Sequence, residues 1–550
     1  MREAGTALVF VAASVVAGVA LAFPMGGLSR ELAVLAFTIG LASGVLAWRG
    51  IPAGPRRRPG AWDVALLTVF ALASLRAFLW LIHPVGDEWR VLSPNNLGDL
   101  SLHLQLIRYL ASGVSFWPES PILQGAPLVY PIGSDLFNSL LLCLGVPAER
   151  GLIWAGLAGS TLSAWALWRW GGAFAIACLL FNGGLAGFAI FQTGQIQDFQ
   201  SELAWKNFFL SMFVTQRGLL YALPAGLFLL SLWRDEFFRG GPRAPAWIPV
   251  LLYASMPVFS VHAFLFLSLL LAAAFYISPH SRRRLLLLVG TSMVPATAAM
   301  ALVTGMFSAA SGMRWLPGWM QGSGGAGFWI WNFGIALPLL VALGWKTLRA
   351  RDPEALCFAG AGLAVFLICC LVSFARWEWD NTKLFLWAWL ACAPYLWDMI
   401  RPWPGTLRAG TCAALFLSGA VSLAGGLDGR HGYALVRRSE LADAAAALQD
   451  VPPHARLAVE PDYNNPAILL GRPVLCGYEG HLWSHGLDYK TNWDALQAVL
   501  KKNPGWRDVL ATLPADWIFL KGPPPRAIPL GSPMPASSFH WPRPEGAPGR

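Results

Sequence analysis

The residues of this chain that could do chemistry are isolated carboxylates and cations set beside long apolar runs. The richest stretch is HPVGDEWRVLSPNNLGDLSLHLQLIRYLASGVSFWPESPILQGAPLVYPIG, residues 83–133. Its spacing predicts a helix entered at Asn96-Leu97-Gly98-Asp99 and running to about Ala111. Leu102, Leu106 and Leu110 form an apolar stripe, and Ser101, Gln105, Arg108 and Ser112 a polar face. Such a helix lies along a membrane boundary. Asp99 and His103 are four residues apart and share a face. A partly buried carboxylate there has a raised pKa and can take a proton from a hydroxyl. The same Asp99 can instead serve only as a helix cap, and His103 as an interfacial side chain with a wet tip. Asp87-Glu88 is a second acidic pair, suited to a divalent metal or a sugar, or else to a solvated turn.

Cations follow. Lys206 and Arg217 lie at or inside the apolar run 208–233. Charge at membrane depth is costly and faces a cavity or a partner. Arg forks onto phosphate oxygens and Lys acts as a point charge, so a phosphate suits both. Snorkelling is the alternative for Lys206, and Asp198 or Glu202 are alternative partners for Arg217. His262, between two short apolar runs, can donate to a phosphate or sugar, or be a satisfied buried histidine. The loop FARWEWDNTKLFLW packs Arg376, Glu378, Asp380, Asn381 and Lys383 beside Trp377, Trp379 and Trp387. Carboxylates and amides among indole faces suit carbohydrate, or they cap helix ends. His481 and His485 are four apart, but Gly480 and Gly486 argue against a helix, so metal binding there is weakly indicated.

The elements that must hold these residues are membrane helices. Of 550 residues, 56% are hydrophobic and 13% charged, which excludes a soluble enzyme and a disordered chain. Apolar runs recur near 6–24, 31–48, 62–82, 151–168, 172–192, 208–233, 246–260, 262–278, 285–304, 327–345, 355–374, 384–400 and 411–426. The first is read as a retained helix and not a cleaved signal. The net charge of +10 sits in short loops (Arg49, Arg56-Arg57-Arg58, Arg169, Arg234/Arg239/Arg243, Arg282-Arg283-Arg284, Lys346/Arg349/Arg351, Arg401/Arg408). That is the positive-inside pattern, not a nucleic-acid surface. These loops share one side if the short run 133–147, with Asp135 and Asn138, is re-entrant. The expectation is an all-α polytopic bundle of about 13 transmembrane helices over 1–426. Its N-terminus is cytoplasmic and its outer loop is 83–150. A small extracytoplasmic α/β domain is expected over 427–522, with strands near 456–460, 473–478 and 516–521, and a disordered Pro-rich tail over 523–550. Seven of the 8 cysteines lie in apolar segments, and no CxxC occurs, so neither disulfides nor zinc are expected.

With these features together, the chain resembles the GT-C superfamily of polytopic glycosyltransferases. More narrowly it is similar to bacterial members related to the protein mannosyltransferase and lipid A aminoarabinose transferase group. The carrying stretches are NLGDLSLHLQLIRYL, PLVYP, TQRGLLYALP, SVHAFL, EWDNTKLFLW and GRPVLCGYEGHLWSHGLDY. The resemblance implies a sugar donor on a polyprenyl phosphate, and a glycan, lipid or protein acceptor arriving from the outer side of a bacterial cytoplasmic membrane. It implies a catalytic acid in the first outer loop, at Asp99. The commonest family pattern puts that acid nearer the first span and often pairs it, a description closer to Asp87-Glu88. Basic residues at the outer ends of spans would hold the lipid phosphate: Arg217, with Lys206, Lys383 and His262. Asp87, Glu88, His103, Glu378, Asp380 and Asn381 remain candidates for sugar or metal. Some members use a divalent cation such as Mg or Mn; nothing in this sequence requires one. A transporter or flippase of a lipid-linked saccharide, and a non-catalytic envelope assembly protein, are the competing readings.

Overall fold

The structure is a computed structural model describing residues 1–53, 58–201, 203–307 and 312–530. Arg56, Arg57, Glu202 and the end of the Pro-rich tail therefore lie outside the described residues. Helix dominates, as the apolar periodicity requires. Among the described residues six helices are long and apolar enough to cross a membrane: Arg2–Met25, Arg30–Gly50, Ala61–Leu79, Pro279–Val303, Pro353–Leu371 and Gly405–Gly426. The chain is a multi-pass membrane protein. Between these run Ala148–Leu180, Leu219–Phe238 and Thr382–Ile400, and the shorter apolar helices Trp247–Phe259 and Val261–Ile277.

Several expected spans are broken. The run 327–345 is two helices, Gly325–Phe333 and Ala336–Ala350, bent by 87°. The runs 151–168 and 172–192 merge into one helix with non-helical backbone at Gly171-Gly172, and regular helix stops at Leu180. The run 208–233 opens with a π-turn, Phe209–Phe213, and its α-helix begins only at Leu219. The short run 133–147 is an 11-residue helix, Gly133–Cys143, with Asp135 and Asn138 buried.

Charge sorts the two ends of the bundle. At one end, Arg239 pairs with Glu354 at 2.6 Å, Arg284 pairs with Glu236, and Arg2 donates to the Ile51 carbonyl at 3.0 Å. These bonds knit the basic loops together. The other end gathers 83–131, 374–383 and the chain after 427.

The tail is stitched to the segment 83–131. Tyr433–Arg437 pairs antiparallel with Glu88–Val91, adding a third strand to the hairpin His83–Val85/Glu88–Val91. A second sheet joins Leu457–Ala458, Trp517–Leu520 and Arg526–Pro529. The last strand lies in the segment expected to be disordered. The expected strand 473–478 is reduced to bridges from Val474 to Leu457 and from Cys476 to Leu123. The helix Asp99–Ala111 is covered by this tail. Gln105 donates to the Pro121 and Arg472 carbonyls at 3.2 and 3.0 Å, and Arg108 donates to the Leu469 carbonyl. Ser101 and Gln105, on the face expected to be wet, are thus buried; the Gln105 amide nitrogen meets backbone carbonyls instead of water, while Ser101 Oγ and Gln105 Oε1 have no hydrogen-bond partner among the described residues.

Gly471 marks the closest approach of this seam. Its φ is +82°, and a Cβ there would lie 2.4 Å from the Arg108 Cβ and 2.9 Å from the Tyr109 nitrogen. Gly471→Ala is expected to cost roughly 1–3 kcal/mol. It should lower the melting temperature in detergent and open the chain after 427 to protease. An unchanged digestion pattern would count against this seam.

Candidate active site

The end of the bundle opposite the basic loops encloses a cavity of about 1610 Å³. Its wall carries Asp99, Lys206, His262, Arg314, Arg376, Asp380, Lys383, His481, His485 and Asp488. Tyr130 and apolar Phe259, Leu265, Val303 and Phe307 complete it. Four of the residues singled out from sequence as phosphate-binding or catalytic, Asp99, Lys206, His262 and Lys383, therefore share one hollow. So does Asp380.

Asp99 is the first residue of its helix. The turn before it is locked by Asn96, whose amide nitrogen donates to Ser93 Oγ at 3.0 Å and the Pro94 carbonyl at 2.7 Å. Gly98 takes φ +82°, and a Cβ there would sit 3.3 Å from His481 Nε2, so the residue before Asp99 must be small and left-handed. Burial pushes the Asp99 carboxyl above its ordinary range. The charges of His103, Lys383 and Arg217 pull it back, and Asp380 pushes it further up.

Lys206 is held by its backbone. Asn182 donates to the Lys206 carbonyl at 2.8 Å, and the Asn332 side-chain oxygen accepts from the nitrogens of Ala204 and Trp205 at 2.8 and 3.0 Å. Trp379 Nε1 donates to the Ala204 carbonyl at 3.0 Å, tying this segment to the loop that bears Asp380 and Lys383. Those two form an ion pair of 3.0 Å. Arg314 pairs with Glu378 at 2.6 Å. Among the described residues the side chains of Lys206 and Arg376 have no partner, so both are free for an anion.

His481 and His485 sit on and just after the helix Glu479–Ser484, which runs through Gly480 despite the sequence expectation. Burial holds His481 down to about 3 and His485 to about 4, so both rings are neutral at pH 7. Tyr130 stacks on His485 with ring centroids 5.1 Å apart, and burial pushes its phenol well above the usual range. Neutral imidazoles and a phenol are hydrogen-bond partners for hydroxyls.

The other sequence candidates do not line the cavity. Asp87 accepts from the Ser439 nitrogen at 3.1 Å and from its hydroxyl, and Glu88 pairs with Arg90 at 2.9 Å. Both serve the seam between hairpin and tail. Asn381 is buried and clamps the chain: its oxygen accepts from the Phe374 nitrogen at 3.0 Å, and its nitrogen donates to the Cys369 and Val372 carbonyls at 2.9 and 2.7 Å. Glu378 neutralises Arg314. Arg217 is 1% exposed. It donates to Asn96 Oδ1 at 2.6 Å and to the Val214 carbonyl at 2.5 Å, one layer behind the wall. His103 is also behind it, bonded through Nδ1 to Asp135 Oδ1 at 2.8 Å. Arg314 and Asp135 are additions that the sequence does not single out as site residues. The only sequence signal for Asp135 is a lone carboxylate in an otherwise apolar run. No three His, Cys, Asp or Glu side chains converge on a metal position among the described residues.

No family model matches the sequence, and no curated protein does. Among solved structures, the chain is similar to the Archaeoglobus fulgidus oligosaccharyltransferase tethered with an acceptor peptide containing the NVT sequon. That likeness has a TM-score of 0.46 and 11% identity, over 83% of this chain and 69% of that one. The archaeal oligosaccharyltransferase AglB from Archaeoglobus fulgidus, in complex with an inhibitory peptide and a dolichol-phosphate, gives 0.46 and 12%, over 84% and 69%. ArnT from Cupriavidus metallidurans in the apo state gives 0.43 and 16%, over 80% and 90%.

The contrast between wall and scaffold is testable by stability. Asn381→Ala strands three buried backbone groups and should cost at least about 2 kcal/mol. Asp99→Asn removes a partly desolvated charge whose ionisation disfavours the folded state. It should leave the melting temperature in detergent at neutral pH unchanged or raise it. The reverse order would mean that Asp99 is structural.

Proposed function

We propose that the protein is a GT-C type glycosyltransferase of a bacterial cytoplasmic membrane. It moves a sugar from a polyprenyl-phosphate donor to a hydroxyl acceptor on the extracytoplasmic side. The observation that carries this reading is the cavity that brings Asp99 together with the cations Lys206 and Arg376, which have no partner among the described residues. A base alone suits many hydrolases, and cations alone suit a transporter. A base, free cations, neutral hydroxyl partners and an apolar wall in one hollow suit transfer from a lipid phosphate to a hydroxyl.

In this mechanism the acceptor oxygen attacks the sugar's anomeric carbon while its proton passes to the Asp99 carboxylate. The bond between that carbon and the phosphate oxygen breaks. The charge growing on the departing phosphate is met by Lys206 and Arg376, where fixed cations act without reorganising. Lys383 adds to this field, tempered by Asp380. His262, His481, His485 and Tyr130 bond the sugar hydroxyls and phosphate oxygens. Phe259, Leu265, Val303 and Phe307 face the first isoprene units. Direct displacement inverts the anomeric centre. The basic loops then face the cytoplasm and the tail the outer side, with Arg217 supporting Asn96 and not binding the phosphate itself.

The test is donor-dependent sugar transfer by the purified protein in detergent. Asp99→Asn should lower kcat about 100-fold or more while donor binding persists. Lys206→Gln should raise the donor KM roughly tenfold with a smaller effect on kcat. A wild-type protein that moves lipid-linked sugar across vesicles yet never transfers it would replace this reading with transport.

A further inference from the structure

Four ionisable groups from three elements lie at the cavity wall and just behind it. Asp99 and His103 come from one helix, Asp135 from the helix Gly133–Cys143, and Arg217 from the turn before Leu219–Phe238. His103, Asp135 and Arg217 are almost wholly buried, at 3%, 1% and 1% exposure. His103 Nδ1 bonds Asp135 Oδ1 at 2.8 Å, while Asp135 Oδ2 has no hydrogen-bond partner among the described residues. Asp99 lies one helical turn before His103 and feels its charge, and Arg217 feels both carboxylates.

A buried set that carries net charge costs more than one whose charges balance. Two carboxylates and one guanidinium leave one negative charge. A second proton on His103 cancels it. We infer that His103, held as an imidazolium by Asp135, is a positioning residue that keeps Asp99 ionised, so that Asp99 can accept the acceptor's proton. This rests on the glycosyltransferase reading for its purpose, though not for its electrostatics.

The other groups facing this set do not supply the missing charge. Lys383 and Asp380 are paired with each other at 3.0 Å. His481 and His485 are neutral at pH 7, and Tyr130 beside His103 stays a phenol. In the reaction the proton goes to Asp99, and the set gains one positive charge at the moment the phosphate leaves.

The experiment follows the acid limb of the kcat/KM profile in the full-length protein. His103→Gln keeps a polar partner for Asp135 but removes the cation, so the Asp99 carboxyl ionises later and the limb moves up by about one pH unit. Asp135→Asn alone should not move the limb upward. The double variant His103→Gln/Asp135→Asn is neutral again, so its limb should return toward wild type. The same titration is read without turnover from the stability lost or gained on Asp99→Asn, measured against pH in each background. The stability that Asp99 confers falls as pH rises from the unfolded carboxyl value to the raised folded one, and is level above it. His103→Gln should move the point of levelling upward. An unmoved limb and unmoved stability difference in H103Q, or a double variant displaced as far as the single one, would overturn the inference. If the wild type transfers no sugar but the stability difference behaves as stated, the enzymatic reading fails and the charge pairing stands.

Discussion

A backbone that leaves a helix inside an apolar bundle must find hydrogen-bond partners there, because no water competes for its amides and carbonyls. In this protein asparagine supplies several of them. Asn207 donates to the Leu180 carbonyl at 2.6 Å where regular helix stops, and its oxygen accepts from the Leu210 nitrogen at 3.0 Å. Asn182, Asn332 and Asn381 hold the next breaks, and Asn96 the turn before Asp99. Each clamp sits beside a segment of the cavity wall. The hollow exists because these helices stop short and are held open by amide side chains.

The same low dielectric organises the charges. At one end, Arg284 and Arg239 of the basic loops pair with Glu236 and Glu354. Cations at the other end are either neutralised, as Arg314 and Lys383 are, or face open space, as Lys206 and Arg376 do. Arg217 is the exception in depth. It bonds Asn96 and so supports the turn before Asp99.

The tail matters to this arrangement although it lies outside the bundle. It covers the helix that begins at Asp99, and it brings His481 and His485 to the wall. Covering removes water from one face of that helix, and burial is what raises the Asp99 carboxyl.

What the sequence determined by itself were the local properties: apolar length, the segregation of basic loops, the helix from Asp99 to Ala111, and the loops that bear Lys206, Asp380 and Lys383. These follow from nearest-neighbour periodicity and from the cost of charge in lipid, which act along a few turns of chain. Only the tertiary structure decided that Asp87 bonds Ser439 of the tail, that Glu88 pairs with Arg90, that Asn381 clamps the backbone at Phe374, and that Arg217 bonds Asn96. It alone joined His103 to Asp135 across 32 positions. A carboxylate or amide looks the same in sequence whether its partner is water, backbone or a distant cation, and that choice is made by the packing that excludes the water.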